Sequence, residues 1–261
     1  MSVMPTPELV VEQDGAVLTV TFNRPSQRNA MTFAMYDGLY AACERADADD
    51  GIRVLVLRGA GDKAFVAGTD IAQFADFSGG EDGVAYEARI TRVINRLEDV
   101  TVPTVAAVRG FCVGAGLAIA AACDLRVATR SSRFGVPIAR TLGNCLSMAN
   151  YARLVALIGP ARTKEIIYTA RMVGAEEALA AGLATEIVAT DTAEARIVEL
   201  CERLAEHAPI TLRVTKEAVR RLHASGLPDG HDLVREAFGS EDFKRGVAAF
   251  VEKRRPEWRG D

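Results

Sequence analysis

Two glycine-centred segments constrain this chain most: Phe65-Val66-Ala67-Gly68-Thr69-Asp70 and Gly110-Phe111-Cys112-Val113-Gly114-Ala115-Gly116-Leu117. They lie about 45 residues apart. Each follows an apolar run that reads as a strand, and each opens into a stretch that reads as a helix. Strands alternating with helices argue for an α/β core. A glycine turn ahead of a helix leaves backbone N–H groups unpaired and pointing outward. Two such turns brought together can cradle one negatively charged oxygen, and so stabilise an enolate or a tetrahedral oxyanion without a side chain. No carboxylate stands just after the second turn, where Gly116 is followed by Leu117, Ala118, Ile119 and Ala120.

The 261 residues, 49% of them hydrophobic, suit one α/β domain or a domain with a helical extension, and allow a large buried core. The net charge of −4 disfavours a general nucleic-acid binder but leaves room for an anionic ligand held by a few local Arg or Lys residues. The five cysteines, at 43, 112, 123, 145 and 201, are odd in number and have no CxxC spacing. Without a secretory leader, they predict a reduced, cytoplasmic protein. The most apolar stretch, Val102 to Ala122, is interrupted by Pro103, Arg109, Gly110, Gly114 and Gly116. It reads as strand–turn–helix within a core, so no membrane partner is expected.

Residues 9–13 and 16–23 are apolar and β-branched and flank Asp14-Gly15, a hairpin signal. Thr32 reads as the N-cap of a helix with Met35, Leu39, Ala42, Cys43 and Ala46 at helical spacing. Strands are expected over 53–57, 64–67, 104–109 and 125–129, and a helix over 84–97. From Asn144 onward the pattern is almost entirely helical, including a last long segment over 229–255; only 185–188 reads as a strand. The expected division is an α/β core over 1–200 and a C-terminal helical region over 201–261 that serves oligomerisation.

Several familiar sites are excluded. Gly114-x-Gly116 has Ile119 where a dinucleotide turn needs its third glycine, and Asp124 comes too early for a ribose contact. No P-loop and no G-x-S-x-G elbow is present. His207, His223 and His231 lie in the helical tail without metal-ligand spacing, which predicts surface or packing roles and no metal.

The chain resembles the crotonase superfamily, the enoyl-CoA hydratase/isomerase family, over nearly its whole length. Asn23-Arg24-Pro25 with Arg28-Asn29-Ala30-Met31 resembles that family's first loop. Ala64 to Ile71 resembles its first oxyanion segment, and Pro103 to Gly110 with Gly114-Ala115-Gly116 the second. Cys123 to Ala128, Arg133 to Pro137, Ala175 to Leu183 and Phe250 to Arg254 continue the pattern in order. The resemblance implies a spiral of β-β-α repeats, a C-terminal trimerisation region, a homotrimer or homohexamer, and an acyl-CoA substrate with no further cofactor. The thioester carbonyl is then held by the N–H groups of Thr69 and Ala115. Ala67, Gly68, Asp70, Ile71, Gly114, Ala118 and Ile138 line the substrate site. Arg28, Ala30, Phe250 and Lys253 are the candidates for coenzyme A, the last two from the same or a neighbouring subunit; Arg28 and Lys253 suit phosphates, although Lys253 equally suits a solvated basic surface.

Two departures leave the reaction open. Hydratases of the family place a glutamate just after the glycine trio and another after the proline of a Phe-Gly-x-Pro segment; here Ala118 holds the first position and Ile138 or Ala139 the second. Ordinary hydration therefore lacks its proton-transfer groups. Cys145, amid Leu142, Leu146 and Met148, reads as a small core residue, with a covalent role as the alternative. Arg140 either binds an anion beside the pocket or points to solvent. The acids Asp76, Glu81, Asp82 and Glu87 fall near a Ser-Gly-Gly loop and are expected at the surface, with the option of swinging over the pocket. Asp70 and Asp124 read as turn anchors. The alternatives to hydration are another crotonase-type reaction (thioester or C–C hydrolysis, decarboxylation, isomerisation) and CoA-ester binding without catalysis.

Overall fold

Successive strands of this chain are dealt alternately to two sheets, and that division brings the two glycine turns together. The computed structural model describes residues 8–224 and 231–257. A hairpin of β1 (Leu9–Asp14) and β2 (Val17–Phe22) opens the fold. Its tight loop is Gly15-Ala16, one residue later than expected, with Gly15 at φ +53° as such a connection demands. α1 (Phe33–Ala48) follows, capped by the Thr32 hydroxyl, which accepts from the Met35 N–H at 3.3 Å. The five apolar residues expected on its inner face are buried.

Three strand–strand–helix units come next. They are β3 (Val54–Gly59), β4 (Ala64–Val66) and α2 (Gly80–Glu98); β5 (Thr104–Val108), β6 (Phe111–Val113) and α3 (Ala115–Ala122); and β7 (Leu125–Thr129), β8 (Arg133–Gly135) and α4 (Ile138–Thr141). β9 (Val173–Gly174) and β10 (Glu186–Val188) complete the strands. The first strand of each unit enters a six-stranded sheet, β1-β2-β3-β5-β7-β10, and the second a four-stranded sheet, β4-β6-β8-β9. Units are parallel neighbours in both sheets. The chain thus climbs as the spiral of β-β-α turns that the resemblance implies. The short strands β4 and β10 fall where strands are expected, whereas β6, β8 and β9, of two or three residues each, are not singled out in the sequence.

The remaining helices are α5 (Met148–Thr169), broken at Gly159, α6 (Ala175–Ala181), α7 (Ala193–Glu206), α8 (Pro209–Ala224), α9 (His231–Gly239) and α10 (Glu241–Val251). α7 runs across residue 200 and packs Ile197, Leu200 and Cys201 against Val54, Val56, Val105 and Val127 of the large sheet. The sequence gives 229–255 one helical reading, whereas Ser240 divides α9 from α10 and its hydroxyl caps α10 by accepting from Phe243 N–H at 3.0 Å. Residues 229–230 lie outside the described part, as does the side chain of His223. Among the described residues no helix is long and apolar enough to cross a membrane.

The two C-terminal helices fold back on α2 and α4 of the same chain. Glycines make this possible. A Cβ on Gly83 would lie 2.3 Å from Phe238, and one on Gly246 2.4 Å from the Leu142 carbonyl oxygen. Phe74, Phe77, Tyr86, Phe238 and Phe243 form one ring cluster at this junction, with Phe74–Tyr86 centroids 4.9 Å apart and Phe238–Phe243 4.8 Å apart. Gly83→Leu is expected to lever α9 off α2, costing roughly 1–3 kcal/mol. Thermal melts and hydrogen exchange over 231–251 check this; unchanged protection there would show that the contact does not hold the helix.

Candidate active site

β4 and β6 lie side by side, with Val66 opposite Cys112. Their ends therefore deliver Gly68-Thr69 and Gly114-Ala115 to one place. A Cβ on Gly114 would sit 3.7 Å from the Gly68 Cα, and one on Gly68 3.8 Å from the Val113 carbonyl oxygen. Both glycines have positive φ, +108° and +56°, which ordinary side chains disfavour. α3 closes on β4 because residue 116 is glycine: a Cβ there would meet the Val66 carbonyl oxygen at 2.1 Å.

The first loop fixes the first turn. Met31 N–H donates to Gly68 O, and Asp70 N–H donates to Met31 O, each at 2.9 Å. These bonds flank Thr69, whose own N–H meets no protein acceptor among the described residues. The loop is held by buried Asn29, whose Nδ2 donates to Ala64 O (2.7 Å) and Ala60 O (3.0 Å). Ala115 begins α3, where an N–H has no acceptor within the helix. None takes it from elsewhere among the described residues.

Thr69 and Ala115 both line one cavity of about 680 Å³, a size suited to a small-molecule ligand. Every residue assigned to the substrate or catalytic site from the sequence lines it: Arg28, Ala30, Ala67 to Ile71, Gly114, Ala115, Ala118, Ile138, Arg140, Cys145, Phe250 and Lys253. The cations Arg28, Arg140 and Lys253 are exposed, while Ala118, Ile138, Leu142, Ile90 and Ile94 are buried. The arrangement is a cationic rim around an apolar interior. Phe250 and Lys253 of the same chain line the cavity. Asp70 anchors the first turn, accepting from Ala72 N–H at 3.2 Å and pairing with Arg24 at 2.9 Å. Asp124 ties β5 down through the Thr104 N–H (2.7 Å) and Lys216 (2.9 Å).

Ala118 and Ile138 put apolar groups where the resemblance expects glutamates, and Ala139 points outward, exposed. The cavity nevertheless holds a carboxyl group that the sequence misplaces. Glu87 is not at the surface: it lies in the helix expected over 84–97, and α2 begins earlier, at Gly80, so Glu81 and Asp82 are helical too. Asp76 and Glu81 are exposed, and Asp82 caps α2 by accepting from Ser78 and Gly79 N–H at 2.7 and 3.1 Å. Glu87 alone turns inward, 7% exposed, and lines the cavity. Its Oε2 accepts from Ser147 N–H at 3.0 Å. Burial pushes its pKa up from the ordinary 4.5 to about 8. One signal does mark it in the sequence: it stands within the apolar stripe Tyr86, Ile90, Val93, Ile94, Leu97, three residues before Ile90 and seven before Ile94.

Two tyrosines also escape the sequence reading. The Thr69 hydroxyl is bonded to both Tyr36 and Tyr86 hydroxyls, each at 2.7 Å, and burial raises both phenols' pKa values. This chain of hydroxyls stiffens the first turn from below. The Asn144 Oδ1 is buried without a partner among the described residues, on a residue that also lines the cavity. Burial pushes the Cys145 thiol up to about 12, so it is protonated at neutral pH and is no ready nucleophile. His207 and His231 are exposed. Among the described residues no cluster of His, Cys, Asp or Glu could hold a metal ion.

The chain is similar to known proteins over nearly its whole length. Residues 12–261 match the family model described as enoyl-CoA hydratase/isomerase. A short-chain-enoyl-CoA hydratase of Clostridium acetobutylicum is 32% identical over 253 residues, covering 95% of this chain and 96% of that protein. An enoyl-CoA hydratase/carnithine racemase from Magnetospirillum magneticum superposes with a TM-score of 0.81 at 33% identity, covering 98% and 97% of the two chains. A methylmalonyl-CoA decarboxylase in complex with 2-nitronate-propionyl-CoA gives a TM-score of 0.89 at 27% identity, covering 97% and 99%.

Glu87 has a testable linkage. The folded state binds its proton more tightly than the unfolded chain does, so stability is full below pH 4.5 and falls as pH rises towards about 8. Glu87→Gln removes this titration. Relative to that variant, the wild type is expected to lose on the order of a few kcal/mol across the window, read from denaturant melts at stepped pH. Parallel curves for the two proteins would refute the assignment.

Proposed function

The chain belongs to the enoyl-CoA hydratase/isomerase family, and on that premise we propose that the Thr69 and Ala115 N–H groups bind the thioester oxygen of an acyl-CoA and stabilise its oxyanion or enolate. The observation that carries this is the convergence of two unpaired N–H groups on one cavity. A preorganised donor of this kind is worth roughly 3 kcal/mol in the transition state. The apolar interior suits the acyl chain, and Arg28 and Lys253 suit coenzyme A phosphates. No cofactor beyond the thioester is required.

Ordinary hydration needs one group to position water and another to protonate carbon. Ala118 and Ile138 can do neither. The reading favoured here is a reaction that passes through the thioester enolate without adding water across a double bond: isomerisation, decarboxylation, or thioester or C–C cleavage. The likeness to a decarboxylase solved with a nitronate-bearing CoA supports it, since a nitronate carries its charge on oxygens beside the α carbon much as an enolate does. Ile210, Val214 and Val219 are exposed apolar residues of α8. They support assembly through the C-terminal helices, as a homotrimer or homohexamer.

Acetoacetyl-CoA titrated calorimetrically tests the ligand, and the absence of heat would overturn this reading. Crotonyl-CoA hydration is expected to be weak or absent. Ala115→Pro removes one donor at the first position of α3, where proline is tolerated. It is expected to lower turnover of any acyl-CoA substrate about 100- to 1,000-fold with little change in melting temperature. Unaltered turnover would discard Ala115 as a donor.

A further inference from the structure

We propose that Glu87, carried by α2, is the proton-transfer group of this site, removing a proton from the acyl chain of a CoA thioester and returning it. This rests on the acyl-CoA reading above and specifies its chemistry. Two carboxyl side chains line the cavity among the described residues, Asp70 and Glu87. Asp70 is committed to Arg24 and the Ala72 N–H. Glu87 pairs with no Lys or Arg among the described residues, although it is buried. Elsewhere on the same helix the acids have structural partners: Asp82 caps the helix start, and Glu98 pairs with Arg153 at 2.6 Å. A buried carboxyl without a cation is costly to keep for packing alone. Its presence on a cavity wall points to use.

The group is also held. Ser147 N–H fixes one of its oxygens, and Ser147 is itself fixed by the Thr91 hydroxyl, which donates to Ser147 Oγ at 2.9 Å. Ser147 in turn caps α5. The titratable groups within electrostatic reach are Tyr36 from α1, Tyr86 from α2, Cys145 from the loop before α5, and Tyr151 from α5. All four are pushed upward and are neutral near pH 7, so Glu87 alone among them exchanges its proton in the physiological range.

The step balances with one group. Glu87 as carboxylate takes a proton from the α carbon; the C–H bond breaks and an O–H bond forms on Glu87. The electron pair moves into the thioester, whose oxygen becomes the anion facing Thr69 and Ala115. The proton then returns to the α carbon, or to the γ carbon where a double bond is conjugated. Nothing is oxidised, reduced or hydrolysed. The substrate class is an acyl-CoA with an acidified α C–H, such as a 3-enoyl-CoA.

Short- and medium-chain 3-enoyl-CoA thioesters and phenylacetyl-CoA, incubated with enzyme in deuterated water, test this by mass spectrometry. The wild type is expected to incorporate deuterium, with a rate that rises with pH towards about 8 and then levels. Glu87→Gln is expected to exchange at least about 100-fold more slowly and to lose that pH limb, while still binding acetoacetyl-CoA. Glu87→Asp, which keeps the carboxyl, is expected to recover part of the rate and guards against misfolding in the first variant. Exchange by Glu87→Gln at the wild-type rate overturns the proposal, as does a wild type that binds acetoacetyl-CoA yet exchanges nothing. Failure to bind acetoacetyl-CoA at all overturns the acyl-CoA reading beneath it.

Discussion

Everything at this site depends on the parallel pairing of β4 with β6. Each strand has only three residues, too few to be stable alone. Their neighbourhood is imposed by the long strands β3 and β5, which lie adjacent in the other sheet. Each spiral turn thus repeats the offset of the previous one, and the two glycine turns fall next to each other as a result. The glycines then remove the last obstacles: positive φ at Gly68 and Gly114, and the missing side chain at Gly116 that lets α3 close on Val66. The site's electrostatics is backbone geometry, secured by Asn29 below and by the tyrosine-flanked Thr69 hydroxyl beside it.

A division of labour follows. On the function proposed above, the oxyanion side of the cavity is built from strand ends and uses no titratable side chain. The proton-handling side would then be a single carboxyl on α2, raised in pKa by burial in a largely apolar cavity. Ala118 and Ile138 are part of those walls. Their apolar character does two things at once: it withdraws water-positioning groups from the family's usual places, and it contributes to the low-dielectric surroundings that keep Glu87 protonated.

The fold was legible in the sequence where side-chain identity reports backbone conformation directly. Gly68, Gly114 and Gly116 mark the turns, Thr32 caps α1, and the apolar runs mark the longer strands. Part of the cavity lining was legible for the same reason, since Ala67 to Ile71, Gly114, Ala115 and Ala118 flank the turns; Arg28, Ala30, Ile138, Phe250 and Lys253 came from the family resemblance. The short strands β6, β8 and β9 were not, because pairing rather than pattern defines them. Glu87 falls inside the helix expected over 84–97, but its nearness to the acids around Ser78-Gly79-Gly80 groups it with them, and so with the surface. The helix in fact starts at Gly80, because Asp82 supplies the cap and Gly83 lets Phe238 seat against it. Nothing in the sequence singles out Tyr36 and Tyr86; only the meeting of three chain segments reveals that their hydroxyls share Thr69.

The return of the chain's end to the cavity couples two equilibria. Phe250 and Lys253 stand in the cavity wall, and α9 and α10 hold them there by packing on α2 and α4. A molecule that touches that wall binds the docked arrangement better than an undocked one. By linkage, docking must then favour the molecule by the same factor. Occupancy and closure of the C-terminal helices are one thermodynamic event read at two places, so a change at the Gly83–Phe238 seam, remote from the turns, is felt as affinity.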